Sequence, residues 1–332
     1  MRRFLPDNFV LSLLATMAVA SLLPATGQAG DWVNIASKLA LVVLFFLHGG
    51  RLPVEAVVAS LKRPVLHASI LAYTYIMFPI ICLLFQAAMP WLLPPELWLG
   101  VLFVCCLPST VQSSIAFTSI ARGNVAVAVG AATASNIAGV FITPALVSLL
   151  MHREGAGGGL GDAGRIMLQI LLPFVVGMVL RRWVGGWITA HKKLVSFVDK
   201  GSILLAVYVA FSQAIEKDIW HLFSPQQLLV LVGVNAVILA AVLLITTYVS
   251  RATGLAREDE VAVVFCGSKK SLATGVPMAA ILFGASAGIT VLPLMIFHQM
   301  QLMVCAVLAR RYARNADAEE GVASGAPAKE VA

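Results

Sequence analysis

Ten apolar stretches separated by short polar connections constrain the fold of this chain more than any other feature. A helix needs about 20 apolar residues to cross the ~30 Å hydrocarbon layer of a bilayer, so ten crossings take up roughly 200 residues. Hydrophobic residues make up 60% of the chain and charged residues 12%, against roughly 45–50% and 25% in soluble domains. The sequence therefore predicts an all-α polytopic membrane protein with about ten transmembrane helices: Phe9–Pro24, Val33–His48, Leu66–Met89, Leu97–Ile120, Val125–Met151, Ile166–Leu180, Leu194–Ala214, Leu228–Val249, Glu260–Leu282 and Ile289–Ala309.

Basic residues are distributed unevenly between the two sets of connections. Sixteen Lys and Arg residues fall on one side, and three, Arg153, Arg165 and Lys217, fall on the other. Because Lys and Arg concentrate in cytoplasmic loops, both termini are predicted to be cytoplasmic, as an even number of spans requires. We expect the protein to reside in a bacterial inner membrane. The net charge of +7 does not indicate a nucleic-acid partner, because the basic residues do not form one patch.

The ends of the chain and its cysteines give weaker indications. We expect a transmembrane domain over residues 1–312 and a disordered cytoplasmic tail over 313–332, which is rich in Ala, Gly and Glu and has no apolar period. A cleaved signal peptide is an alternative interpretation of the first span, since Arg2 and Arg3 precede a short apolar stretch that ends in small residues. The five cysteines lie in apolar runs without metal-site spacing, so we expect no metal or cofactor.

The fourth and ninth spans differ from the others because they are broken and polar. Pro108 interrupts the fourth, and Gly267 and Pro277 flank the polar part of the ninth. Non-helical backbone at membrane depth is tolerated only where it is buried in protein or lines a cavity. Interrupted segments at corresponding places in two halves indicate the substrate site of an inverted-repeat transporter. We therefore predict two five-helix repeats, 9–151 and 166–309, and a binding site among these polar residues: Thr110, Gln112, Ser113, Ser114, Thr133, Asn136, Ser268, Lys269, Lys270, Ser271, Thr274, His298 and Gln299.

Lys269 and Lys270 are the most informative of these residues. A lysine near the bilayer centre costs about 2.5–3.5 kcal/mol even on the lenient insertion scale, so something must compensate for it. In one interpretation, one ammonium group faces the cavity and holds an anionic substrate or replaces a coupling cation, while the other binds released carbonyl groups. In the alternative, both lysines snorkel to an interface. His298 could relay protons or hydrogen-bond to another helix, and both interpretations stay open.

Three stretches resemble a known family: CCLPSTVQSSIAFTSIARGNVAVAVGAATASNIAGVFITPAL, FCGSKKSLATGVPMA and PLMIFHQMQLMV. They are similar to the bile acid:sodium symporter family, and the last two to its divergent SBF-like branch. The resemblance covers roughly residues 4–312. It implies ten helices in two inverted five-helix repeats, in which a core domain with two crossing broken helices moves against a panel domain. It also implies alternating access to organic anions.

The sodium site that the resemblance implies is kept only in part. Ser113 and Ser114 fall on a Ser-Asn pair of the family, and Thr74 falls on a glutamine of the third helix. The hydroxyl positions after the Arg-Gly-Asn turn fall on Ala128 and Ala132, which cannot coordinate an ion.

The ninth span departs furthest from the family pattern. Phe265 stands at the family's sodium-binding glutamate and Lys269 at the glutamine that follows it. Sodium sites use hard oxygen ligands, usually with a carboxylate, so two lysines there are electrostatically hostile to a cation. We therefore do not expect the usual sodium site to be used.

Four functions are compatible with these residues. The first is a secondary transporter of a small organic anion in which a lysine supplies fixed positive charge, with proton coupling or facilitated movement. The second keeps sodium coupling in a site rearranged around Ser113, Ser114 and Thr133. The third is an intramembrane enzyme with Ser268 or Ser271 as nucleophile and a lysine as base. The fourth is a non-transporting membrane component that regulates another transporter. We predict the first, a protein that is not an enzyme and whose partners are the substrate and the lipid bilayer.

Overall fold

The computed structural model describes residues 8–51, 63–151, 160–216 and 223–323. Those ranges are helical apart from short connections, and they contain no β-strand. Pro64–Ala88 is one helix with a π-helical segment at Tyr73–Met77. The helices, in chain order, are α1 Asn8–Leu22, α2 Gly27–Gly50, α3 Pro64–Ala88, α4 Pro95–Cys106, α5 Gln112–Ile120, α6 Val125–Leu150, α7 Leu160–Val179, α8 Arg181–Ala190, α9 Lys192–Glu216, α10 Pro225–Ala252, α11 Arg257–Gly267, α12 Leu272–Phe283 and α13 Ala287–Ala323.

Six of the described helices are long and apolar enough to cross a membrane, namely α2, α3, α6, α9, α10 and α13. The pair α7 and α8 would add a seventh span if it is counted as one, although it bends by 89°. The chain is therefore a polytopic membrane protein, as predicted. The count of ten spans stays a prediction, because the fourth and ninth predicted spans are each divided into two short helices and α1 is short.

Both breaks follow from local sequence. α4 ends at Cys106 because the residue before a proline is pushed out of the helical region, and Leu107 accordingly has φ −78° and ψ 156°. α11 ends at Gly267, and α12 restarts after Ser271, whose side-chain oxygen accepts a hydrogen bond from the Thr274 N–H.

The helices pack in two groups. One group, here called the panel, contains α1, α2, α7, α8 and α9, in which α1 lies along α9 and α7 lies along α2. The other group, here called the core, contains α3 to α6 and α10 to α13 and surrounds both breaks. The two groups meet where α9 packs on α12 and α13 and where α7 packs on α6 and α12.

The predicted tail is partly helical. α13 continues to Ala323, so residues 313–323 extend the last helix, and residues 324–332 lie outside the described part of the chain. This extension contains several Ala and Glu residues, which are strong helix formers. The division of the chain into a domain and a disordered tail stays a prediction.

The panel depends on an unusually close approach of two backbones. A Cβ atom added at Gly49 would collide with the carbonyl oxygen of Phe174, and one added at Gly177 would collide with the carbonyl oxygen of Phe46. Small residues at helix crossings in membranes allow this kind of contact. Gly49 and Gly177 therefore fix the distance between α2 and α7.

We expect Gly49→Ala and Gly177→Ala to destabilise the protein by about 1–3 kcal/mol, because the obstructing atoms are backbone and cannot rotate away. The measurement is the midpoint of thermal unfolding of the detergent-purified protein. Gly233→Ala on α10 is the matched control, since no atom beyond the neighbouring backbone of its own helix lies within 4 Å of its added Cβ. Equal midpoints for the Gly49 variant and the control would contradict the close-packing explanation.

Candidate functional site

The two breaks meet at one place, here called the crossing, and are joined directly by hydrogen bonds. The end of α11 leaves backbone carbonyls without helical partners, and hydroxyl groups from the first break and from α5 donate to them. The joining hydrogen bonds run from the Ser271 N–H to the Pro108 carbonyl (2.8 Å), from the Ser109 hydroxyl to the Cys266 carbonyl (2.6 Å) and from the Ser114 hydroxyl to the Phe265 carbonyl (3.0 Å).

Lys270 binds the carbonyl groups that the first break releases. Its Nζ donates to the carbonyl oxygens of Cys105 (2.7 Å) and Leu107 (2.8 Å) at the end of α4. It donates a third hydrogen bond to the carbonyl oxygen of Thr74 (2.7 Å) in the π-helical segment of α3. The side chain is fully buried, and its ammonium group lies 4.0 Å from the centre of the Phe78 ring. An ammonium group has three donors, so every donor of Lys270 is occupied.

These hydrogen bonds compensate for the cost of burying the Lys270 ammonium group. The C-terminal end of a helix carries partial negative charge, which favours a cation there. Each unpaired carbonyl in an apolar interior costs several kcal/mol, and the ammonium group pairs three of them. Lys270 thus caps α4 from the second break, and the alternative in which it snorkels to an interface does not fit its burial.

Lys269 is equally buried but less fully bonded. Its Nζ donates to the carbonyl oxygen of Ser113 at 3.0 Å, its single hydrogen bond among the described residues. The ammonium group lies 3.8 Å from the centre of the Phe117 ring and 5.5 Å from that of Phe265, distances typical of cation–π contacts. Its other two donors therefore have no oxygen acceptor in the part of the protein that is described.

In each break, one residue has both its backbone N–H and its carbonyl bound by the helix that follows the broken span, which is α6 for the first break and α13 for the second. Gln301 on α13 accepts from the Lys270 N–H and donates to the Lys270 carbonyl, both at 2.8 Å. Ser135 and Asn136 on α6 do the same for Ser109, at 3.0 Å and 2.7 Å. Gln301, Ser135 and Ser109 were not among the predicted site residues, although each is a polar residue in the same broken span or the helix after it.

Several predicted residues connect the second break to the first. The Thr274 hydroxyl donates to the side-chain oxygen of Asn136 at 3.0 Å and accepts from the Ser271 hydroxyl at 3.0 Å. The hydroxyls of Thr110 and Ser113 lie 2.6 Å apart in the first break. Ser271, Thr274 and Asn136 therefore form one hydrogen-bonded set across α12 and α6, and Thr110 and Ser113 form a second at the start of α5.

Other predicted residues are less central. The Thr74 hydroxyl donates within its own helix to Ile70, and Thr133 is buried on α6. Gln112 is exposed at the start of α5. His298 contacts Gln301 at 2.9 Å.

The hydroxyl of Ser268 donates to the carbonyl of Val264 at 2.6 Å. Among the described residues, neither lysine ammonium group is hydrogen-bonded to Ser268 or Ser271.

The carboxylates of α11 lie at its opposite end and are bonded to other groups. Asp259 and Glu260 are buried at the start of the helix, ten residues or so before the lysines. They therefore do not neutralise the ammonium groups. Their partners are Arg63 (2.7 Å) and Asn124 (2.9 Å) for Asp259, and Arg251 (3.0 Å) and Tyr312 (2.7 Å) for Glu260.

A cavity of about 170 Å³ lies in the panel, between the start of α2 and the end of α9. Asp31, Asn34, Gln213 and Glu216 line it, and none of the predicted site residues does. At the crossing, both lysine side chains are fully buried.

Two broken helices that cross inside a bundle of apolar helices, with polar backbone exposed only to protein, are characteristic of secondary transporters. A sequence model of the SBF-like CPA transporter family matches residues 7–314, and the chain belongs to this family. This confirms the resemblance to the bile acid:sodium symporter family. The chain is a membrane transporter and not an enzyme, as predicted.

Relatives agree with this assignment over nearly the whole chain. The candidate symporter YfeH of Escherichia coli is 48% identical, with 94% of each chain covered. The "Uncharacterized protein PA2026" of Pseudomonas aeruginosa is 51% identical over 98% of this chain and 99% of its own. The sodium/bile acid cotransporter 7 of Rattus norvegicus is 26% identical, with 93% of each chain covered.

We expect Gln301→Leu to lower stability by about 2–6 kcal/mol, because it leaves the N–H and the carbonyl of Lys270 unpaired at about 1–3 kcal/mol each. The midpoint of thermal unfolding in detergent measures this. Gln299→Leu is the matched control, since the buried side-chain oxygen of Gln299 has no hydrogen-bond partner among the described residues. Similar losses of stability in both variants would refute this role of Gln301 in holding the Lys270 backbone.

Proposed function

We propose that this transporter moves a small organic anion by alternating access and that the fixed charge of Lys269 takes the place of a coupling sodium ion. The observation that carries the proposal is the presence of two ammonium groups, fully buried at the crossing, without a carboxylate partner in the described structure. A buried site with surplus positive charge favours an anion as its occupant.

The helix ends at the crossing do not offset this positive charge. α4 and α11 end at the crossing, and α5 and α12 begin there. The partial negative charge of the two C-terminal ends opposes the partial positive charge of the two N-terminal ends, so the helix dipoles largely cancel. The two ammonium groups then remain as the net charge. In transporters with discontinuous helices, anionic substrate groups bind at such N-terminal ends.

The two lysines have different roles in this proposal. Lys270 has all three donors committed to backbone carbonyls, so it holds the breaks together. Lys269 donates one hydrogen bond to the Ser113 carbonyl, and its ammonium group otherwise makes cation–π contacts. An anionic oxygen of a substrate can replace these contacts. Lys269 is therefore the ammonium group available to a substrate.

The packing supports alternating access by two inverted repeats. If the two repeats correspond, α1 and α2 of the first match α7 and α9 of the second. The contact of α1 with α9 then has its counterpart in the contact of α7 with α2, and both are present. The contact of α3 with α4 likewise has its counterpart in that of α10 with α11, and that of α5 with α6 in that of α12 with α13. The panel and core are then the two bodies that move.

Sodium coupling in a rearranged site is the second candidate, and the contacts around Ser113 count against it. The Ser113 carbonyl already accepts from Lys269 at 3.0 Å, and the Ser114 hydroxyl donates to Phe265. A sodium ion placed about 4 Å from the ammonium group would be repelled by ~4 kcal/mol at an effective dielectric constant of about 20. We also propose a bacterial inner-membrane location with both termini cytoplasmic, on the distribution of basic residues.

We expect the purified protein in proteoliposomes to take up organic anions at the same initial rate with and without a sodium gradient. The measurement is the flux of a panel of radiolabelled carboxylates and sulfate conjugates under an imposed sodium gradient, a proton gradient or neither, with protein-free liposomes as control. Stimulation by the proton gradient would indicate proton coupling, and equal rates would indicate facilitated movement. Uptake that collapses when sodium is removed would overturn the proposal.

We expect Lys269→Gln to reduce the ratio of maximal rate to KM by at least about tenfold with little change in thermal stability. The substitution removes the charged group of the protein that donates a hydrogen bond to the substrate. Lys270→Gln should instead lower the unfolding midpoint, because carbonyl groups at the crossing lose their donors. Lys38→Gln, an exposed lysine on α2, is the control and should change neither quantity. Intact sodium-driven uptake in Lys269→Gln would favour the second candidate.

A further inference from the structure

Helix α8 leaves the panel in a direction that the membrane-crossing helices do not share. It bends by 89° from α7 at Leu180. With α7 crossing the bilayer, as the sequence predicts for residues 166–180, this bend places α8 along the membrane surface. The next helix, α9, begins at Lys192 and crosses again. α8 therefore lies between two spans at one face of the bilayer.

The rotation of α8 about its own axis is fixed by one buried residue. Ile188 is buried and packs in a small apolar cluster with Leu47 of α2 and Val195 of α9. Trp187 lies about 100° around the helix from Ile188, and Trp183 lies one turn earlier on the same side. The Trp187 and Trp183 side chains are 48% and 62% exposed, so both are available to a partner outside the helix bundle.

Basic side chains accompany the tryptophans. The guanidinium group of Arg182 lies 4.0 Å from the centre of the Trp183 ring. Lys192 and Lys193 are exposed at the start of α9. Asp199 is the one acidic residue in the sequence from 181 to 200, and both its oxygens accept hydrogen bonds from Arg51, at 2.6 Å and 2.9 Å. The charge of the three exposed basic residues is therefore not neutralised by a neighbouring carboxylate of this segment.

We infer that α8 and the first residues of α9 form a binding surface for anionic phospholipids. Tryptophan side chains prefer the boundary between headgroups and acyl chains, and an amphipathic helix with basic residues on its polar side binds there. Lys and Arg at this depth are attracted to anionic headgroups. The occupant is a lipid rather than a soluble partner, because α8 connects the predicted span of α7 to the apolar span of α9, which keeps the tryptophans close to the bilayer surface.

Quenching of tryptophan fluorescence by brominated lipid tests this surface in the full chain. The protein is reconstituted in vesicles of phosphatidylcholine and phosphatidylglycerol, with the bromines on one lipid or on the other at the same composition. The signal of Trp183 and Trp187 is obtained by difference from the Trp183→Phe/Trp187→Phe variant. We expect brominated phosphatidylglycerol to quench this signal more than its share of the lipid would produce.

The excess quenching should disappear in Arg182→Gln/Lys192→Gln/Lys193→Gln and persist in Arg310→Gln/Arg311→Gln/Arg314→Gln, which removes three exposed basic residues at the far end of α13. It should also disappear in the unsubstituted protein when ionic strength rises from about 0.1 M to 1 M, where the Debye length falls from ~10 Å to ~3 Å. Equal quenching by the two brominated lipids, or an excess that survives both the charge variant and high salt, would overturn the inference.

Discussion

The three hydrogen bonds from the Lys270 ammonium group to backbone carbonyls are the interaction on which the core depends. Without water, a broken helix at membrane depth leaves carbonyl groups that nothing in lipid can satisfy. Burying an ammonium group is itself costly, by several kcal/mol after relaxation. The two costs offset each other here, because charge-assisted hydrogen bonds are roughly twice as strong as neutral ones and the three donors of a lysine match three acceptors.

The two breaks also stabilise each other, so neither can be understood alone. Lys270 belongs to the second break and caps the first, while the Ser109 and Ser114 hydroxyls of the first half cap the end of α11 in the second. Gln301 then fixes the backbone from which Lys270 reaches across. Polar networks of this kind strengthen when complete and are costly when one member is removed. A substitution in one half is therefore felt in the other.

The sequence predicts the backbone where a residue type restricts its conformation, but it does not predict hydrogen-bond partners that are distant along the chain. Pro108 and Gly267 located both breaks, and the cost of a buried charge showed that Lys269 and Lys270 needed partners. The partners could not be predicted, because carbonyl groups carry no sequence signature: the Thr74 carbonyl is available in a π-helical segment that no residue type announces. The difference between two adjacent lysines is likewise a matter of geometry, since each has the same chemistry.

Two features of the panel, helix α8 and the close contact at Gly49, could not be predicted from the sequence. The sequence predicts a connection from 181 to 193, because basic residues there interrupt the apolar pattern, yet residues 181–190 form α8. A helix lying along a membrane surface needs only one buried stripe, and in ten residues that stripe amounts to little more than Ile188. The close contact of Gly49 with α7 was also hidden, since a glycine pair indicates close packing only when its partner helix is known.

A fixed charge has a consequence for the proposed cycle that a bound sodium ion does not. When a carrier returns without substrate, a dissociable ion has been left behind, whereas an ammonium group of the core travels with it. In the proposed mechanism a monovalent anion neutralises Lys269, so the loaded step moves less charge than the empty one. Moving one elementary charge through 100 mV is worth about 2.3 kcal/mol, enough to bias that step by more than tenfold. The membrane potential would thereby act on the empty carrier, and the position of Lys269 within the field sets how strongly.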